Sequence, residues 1–111
     1  MMGGRILPVV VLLFVSASFG ASLEEYRTQI DGIDRQIVEL LNKRAGIVNR
    51  IGQIKKEANL PVTAPARERQ VLEQVVESGK DGPLPAATLR RIYEVILREM
   101  RTWEATMNSL K

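Results

Sequence analysis

The sequence predicts an all-α fold: a three-helix protomer with one very long first helix, whose apolar seam needs a partner helix. Three observations carry that expectation. Ile30, Ile33, Ile37, Leu40, Ile47, Ile51 and Ile54 recur at spacings of three and four, the seam of a helix that must face another helix. A second apolar set, Leu89, Ile92, Tyr93, Ile96, Leu97, Met100, Trp103 and Met107, follows the same period near the C-terminal end. No stretch shows the two-residue alternation of a strand, and no internal repeat is visible.

Residues 1–20 differ in character from the rest of the chain. Arg5 closes a short basic start, Ile6 to Phe14 is almost wholly apolar, and the small residues Ser16, Ala17, Ser18 and Gly20 come next. That is the three-part layout of a secretory signal peptide. The apolar stretch is short for a bilayer and carries Pro8, which disfavours a retained anchor. Cleavage after Gly20 would leave residues 21–111 as one helical domain, periplasmic or secreted, with no membrane attachment.

The first helix of that domain is expected to start at Ser22, an N-cap with Glu25 three residues on as its capping box, and to end near Asn59. Some 37 residues make a rod roughly 55 Å long, more than so small a domain can bury by itself. Leu60-Pro61-Val62-Thr63-Ala64-Pro65 is a connector, because each proline disfavours helix at the residue before it. Pro65 can open a second helix to about Ser78, with Val71, Leu72, Val75 and Val76 on its apolar side. Gly79-Lys80-Asp81-Gly82-Pro83 is a turn, and the third helix runs from about Pro85 to Ser109.

Composition removes several function classes. The 111 residues include no cysteine and no histidine, which rules out thiolate or imidazole metal sites, disulfides and a histidine-based triad. A formal charge of +3 without a basic, aromatic-interleaved run suits a small anionic ligand and not a nucleic acid.

The informative residues are polar ones on apolar faces. Arg44 occupies a rung of the first seam, between Leu40, Leu41, Ile47 and Val48. A guanidinium there loses water and needs an anion, supplied by another part of the fold or by a ligand. Lys55 follows 11 residues later, within about 20° on the helix wheel and roughly 16 Å along the axis. Two long cationic side chains at that separation leave room for a small dianion. Arg27 precedes Arg44 by 17 residues, about 25 Å of helix. It can join them only from an antiparallel second copy. Glu68, with Arg67 beside it, lies on the apolar side of the second helix, and Glu104 lies one turn after Met100 on the third.

Plainer readings stand beside these. Arg44 could form a structural ion pair with Glu68 or Glu104. Lys55 could reach back to solvent along its own stem. Arg27 could be a solvated surface residue, and Arg67-Glu68-Arg69 an exposed helix start. Trp103 with the methionines reads as core filling.

Over residues 23–107 the chain resembles the all-helical, type II chorismate mutases. The likeness rests on Leu23-Glu24-Glu25-Tyr26-Arg27, Ile30-Asp31-Gly32-Ile33-Asp34 and Leu40-Leu41-Asn42-Lys43-Arg44. It continues through Ile51-Gly52-Gln53-Ile54-Lys55, Pro61-Val62 and Arg67-Glu68-Arg69. The resemblance implies an intertwined helical homodimer with two pockets built from both chains, rearranging chorismate to prephenate without cofactor or metal. It implies that Arg44, with Arg27 of the second copy, holds the substrate's two carboxylates and that Arg67 supports them. Lys55 and Glu104 would address the breaking ether bond, and Glu68 would accept from the ring hydroxyl. The chain departs from the pattern at Ala64, where an acid is common, and at Met100, where a small hydroxyl residue is common. A glutamate at 104 donates to the ether oxygen only when protonated, which implies activity that falls as pH rises. Two other readings remain: an isochorismate-pyruvate lyase on the same scaffold, and a non-catalytic exported helical dimer that binds a small dianion.

Overall fold

A computed structural model describes the backbone of residues 3–110 and the side chains of residues 22–110. The expected leader, residues 1–20, therefore lies outside the residues whose side chains are described. Three helices follow in order: α1 (Gly3–Glu57), α2 (Pro65–Ser78) and α3 (Ala86–Ser109). Among the described residues there is no strand, and no helix is long and apolar enough to cross a membrane. The all-α expectation holds.

The expected start of the first helix does not. α1 is helical from Gly3, so Ser22 lies inside it and not at its end. With a helical turn ahead of them, the N–H groups of residues 22–25 meet carbonyls of that turn and need no cap.

The C-terminal end of α1 is built by local geometry. Asn59 takes a left-handed backbone, φ 58°. Its N–H donates to the Lys56 carbonyl at 3.2 Å, and the Leu60 N–H reaches back to the Lys55 carbonyl at 2.7 Å. Those two bonds are a Schellman closure, and asparagine is one of the few residues with a side chain that accept the conformation it requires. Pro61 follows and cannot continue the helix. α2 opens with Pro65 in its first turn and no side-chain cap. Glu68, the acid in that turn, faces the positive end of the helix dipole. The turn after α2 packs tightly: a Cβ on Gly79 would stand 2.3 Å from Leu89 Cδ1.

The chain divides into two compact units, residues 1–41 and 42–111. In the second unit α2 packs on α3, and the buried residues of α3 are Leu97 and Glu104. No described side chain is fully enclosed. Trp103 is not the core filler its spacing suggests. It is 38% exposed, and its indole N–H donates to the Ala45 carbonyl at 3.0 Å. The apolar rungs of α1 stand in solvent in both units. In the first, Ile30, Ile33, Ile37 and Leu40 are about half exposed or more; in the second, so are Ile47, Ile51 and Ile54.

The left-handed residue gives a direct test. Asn59→Val is expected to destabilise by about 1–2 kcal/mol, because a β-branched side chain resists that backbone, whereas Asn59→Gly is neutral or stabilising. Chemical denaturation of the two variants against the parent chain measures both.

Candidate active site

The second unit contains a cleft of about 460 Å³, within the range of small-molecule sites. Ile47, Val48 and Ile51 of α1, Val71 of α2, and Leu97 and Met100 of α3 supply its apolar lining. Into it project four basic side chains, Arg44, Lys55, Arg67 and Arg101, against two acids, Glu68 and Glu104. A cleft with apolar walls and an excess of two positive charges is complementary to a small dianion.

Lys55 and Glu104 form the most buried polar pair. The Lys55 ammonium is 3.1 and 3.4 Å from the two Glu104 carboxylate oxygens and donates at 2.8 Å to the Val62 carbonyl. Their side chains are 18% and 7% exposed. A carboxylate withdrawn so far from water needs a charged partner, and the ammonium provides it. The Val62 carbonyl is in place because the Asn59 turn redirects the chain. Lys55 is thus held by side chain and connector at once, and the reading in which it reaches back to solvent is set aside.

Gly52, one turn before Lys55, makes room for Glu104. A Cβ at that position would lie 2.9 Å from Glu104 Cγ and 3.0 Å from Asn108 Oδ1. The absence of a side chain there lets α3 bring Glu104 against α1.

Across the cleft the Arg101 guanidinium donates to the Glu68 carboxylate. Arg67 donates to Gln70 Oε1 at 2.7 Å and also lines the cleft. Arg44 is half-buried there, and among the described residues it makes neither a hydrogen bond nor an ion pair. Both acids that could have neutralised it are engaged, Glu68 by Arg101 and Glu104 by Lys55. The structural ion pair considered for Arg44 is therefore not formed. Its guanidinium faces the cleft uncompensated, and the anion it calls for is one the single chain does not supply.

Of the six residues singled out from sequence, five, Arg44, Lys55, Arg67, Glu68 and Glu104, line this one cleft. Arg27 belongs to the other unit, is 65% exposed, and pairs with Glu24 at 3.3 Å. Sequence reasoning missed Arg101. The signal was present: it lies four residues after Leu97 and three before Glu104, hence on the same helical face. Among the described residues no cluster of three acids stands ready to hold a metal ion.

A sequence model described as chorismate mutase type II matches residues 26–105. The chain belongs to the chorismate mutase type II family. A bifunctional chorismate mutase/prephenate dehydratase of Aquifex aeolicus (strain VF5) is 44% identical over 78 residues, covering 68% of this chain and 22% of that protein. The T-protein of Haemophilus influenzae is 34% identical over 92 residues, 82% of this chain and 23% of the relative. The chain thus spans less than a quarter of those larger relatives. A solved chorismate mutase (form II) from Thermus thermophilus superimposes with a TM-score of 0.71 at 29% identity, covering 75% of this chain and 93% of that one. The fold that carries the cleft is therefore that of a helical protein chain of similar size.

Two glycines of α1 separate helix propensity from site packing. Gly46 has nothing within 4 Å of its Cβ position, so Gly46→Ala is expected to stabilise by about 1 kcal/mol. Gly52→Ala should forfeit that gain and destabilise by about 1 kcal/mol or more, because Glu104 and Asn108 must move. Denaturation midpoints of the two variants compare them directly.

Proposed function

We propose that this chain is a chorismate mutase, converting chorismate to prephenate by a unimolecular [3,3] shift. The observation that carries the reading is the uncompensated Arg44 in an apolar cleft beside the Lys55–Glu104 pair. Membership of the family supports it, as does the net positive lining, which matches the two carboxylates of chorismate.

The chemistry asks little of the protein. No proton, nucleophile or electron has to leave or arrive. The substrate must fold into the compact conformer in which its two ends meet, and negative charge must be stabilised on the ether oxygen as the C–O bond breaks. In the proposed mechanism Arg44 binds a carboxylate through its planar fork and Arg67 adds to the same field. Lys55, a compact point charge, faces the ether oxygen. Glu104 holds that ammonium in place through the ion pair, and Glu68 accepts from the ring hydroxyl. The apolar walls exclude water and strengthen each of these interactions.

We further propose a homodimer in which Arg27 of a second copy completes each cleft. Support comes from the half-exposed isoleucine rungs of α1, a surface too apolar to remain wet, and from the positive cleft that Arg27 would extend. Export through a leader at residues 1–20, to the periplasm or beyond, belongs to the same proposal. A glutamate and not a glutamine at position 104 favours the mutase over an isochorismate-pyruvate lyase.

Loss of chorismate absorbance in the presence of purified protein tests the activity. Arg44→Ala is expected to lower kcat/KM by about 100-fold, the loss of two charge-assisted hydrogen bonds. Turnover equal to wild type in Arg44→Ala, or none in the folded wild-type protein, rejects the reading. Mixing Arg27→Ala chains with Arg44→Ala chains tests sharing. Each mixed dimer would regain one intact cleft, so activity should recover to about a quarter of wild type under random pairing. No recovery is expected if the two residues serve the same chain.

A further inference from the structure

Arg101 has no part in the roles assigned above, whereas Glu68 is the proposed acceptor for the ring hydroxyl. The geometry gives it a fixed partner. Glu68 comes from the first turn of α2 and Arg101 from the middle of α3, 33 positions apart, and both line the cleft. Their side chains are 24% and 36% exposed, so neither has left solvent far enough for the pair to be a packing necessity. The other charged groups lining that cleft are Arg67 on the same helix as Glu68, Arg44 and Lys55 on α1, and Glu104 on α3. Lys55 is engaged by Glu104 and Arg67 by Gln70. Arg101 alone donates to the Glu68 side chain among the described residues.

We propose that Arg101 is a positioning residue that holds the Glu68 carboxylate aimed into the cleft, so that the cleft selects a dianionic guest carrying a hydroxyl donor. The inference rests on the mutase reading and assigns it a specificity element. A carboxylate accepts through several lone pairs. When one oxygen is occupied by a guanidinium, the other is left as the acceptor with a defined direction. An unheld glutamate in a first helical turn would sample several rotamers, and ordering it would weaken binding of the hydroxyl. The same guanidinium offsets the repulsion between Glu68 and an incoming dianion. Met100, the neighbour of Arg101, lines the cleft without a hydrogen-bond donor, which leaves Arg101 as the α3 residue best placed to supply one.

The test uses the full-length protein as purified, with Arg101→Gln, Arg101→Lys, Glu68→Gln and the double variant Glu68→Gln/Arg101→Gln. Arg101→Gln should raise KM for chorismate about tenfold and change kcat by less than threefold. Arg101→Lys, which keeps the charge, should recover most of the loss. In the Glu68→Gln background the Arg101 substitution should add less than twofold, because the residue it positions is gone. Equal losses in kcat and KM, no recovery with lysine, or fully additive losses would overturn the proposal. A readout independent of turnover separates it from the mutase reading. Calorimetric binding of a bicyclic ether dicarboxylate shaped like the pericyclic transition state, with and without its hydroxyl, should show a preference of about tenfold for the hydroxyl compound. Arg101→Gln should erase that preference. Absent turnover with the preference intact rejects catalysis and retains the role of Arg101. Turnover with no preference, or no binding of either compound, rejects the role of Arg101.

Discussion

The Lys55–Glu104 contact is the constraint on which the site depends. It is the place where a nearly buried carboxylate is met by an ammonium, and three separate pieces of chain have to be correct for it to form. Gly52 must lack a side chain so that Glu104 can approach, Asn59 must turn left-handed so that the Val62 carbonyl returns to Lys55, and α3 must present Glu104 inward. Each is a local choice with little meaning alone. Together they fix a donor in an apolar cleft, and removing either charged partner would leave the other buried and uncompensated.

That pair also decides what Arg44 can do. A half-buried guanidinium is costly when unpaired, and folds usually resolve the cost with the nearest acid. Here both nearby acids already have partners, so the cost persists in the single chain. The same logic applies to the apolar rungs of α1. Isoleucines at 44–64% exposure are a loss that a lone chain of this size cannot recover elsewhere. Both unmet demands, one electrostatic and one hydrophobic, lie on the first helix; the proposed dimer answers the hydrophobic one and the proposed dianionic substrate the electrostatic one.

Much of this was legible in the residues. The period of three and four marks α1 and α3 over most of their length, and the prolines at 61 and 65 bracket the connector. Arg44 and Lys55 could be placed on one face by helical arithmetic alone, and they do line one cleft. The features that escaped have physical reasons. Ser22 looks like a cap because its chemistry is that of a cap, yet a capping residue is used only where the preceding chain leaves N–H groups open, and here the helix passes through. Trp103 sits at a core spacing, but its position on the wheel does not reveal that its N–H has found the Ala45 carbonyl at the surface. Arg101 was passed over because an arginine three residues from a glutamate on a charged helix resembles ordinary solvated surface. Only packing against α2 shows that its partner is Glu68 and not a neighbour on its own helix.

The division of charge across the cleft bears on why so small a scaffold suffices for the proposed reaction. A unimolecular rearrangement offers no leaving proton to manage, so a catalyst gains most from an electrostatic field already in place before the substrate arrives. Fixed ion pairs are a way to build such a field. Glu104 holds Lys55 against the connector and Arg101 holds Glu68 at the opposite wall, so two cations and two anions are immobilised without neutralising the cleft. Arg44 and Arg67 remain as the excess positive charge. Flexible side chains would have to reorganise around the developing dipole at each turnover, and that reorganisation would raise the barrier. In this chain the helices have already done the reorganising during folding, with the side chains tied to one another across α1, α2 and α3.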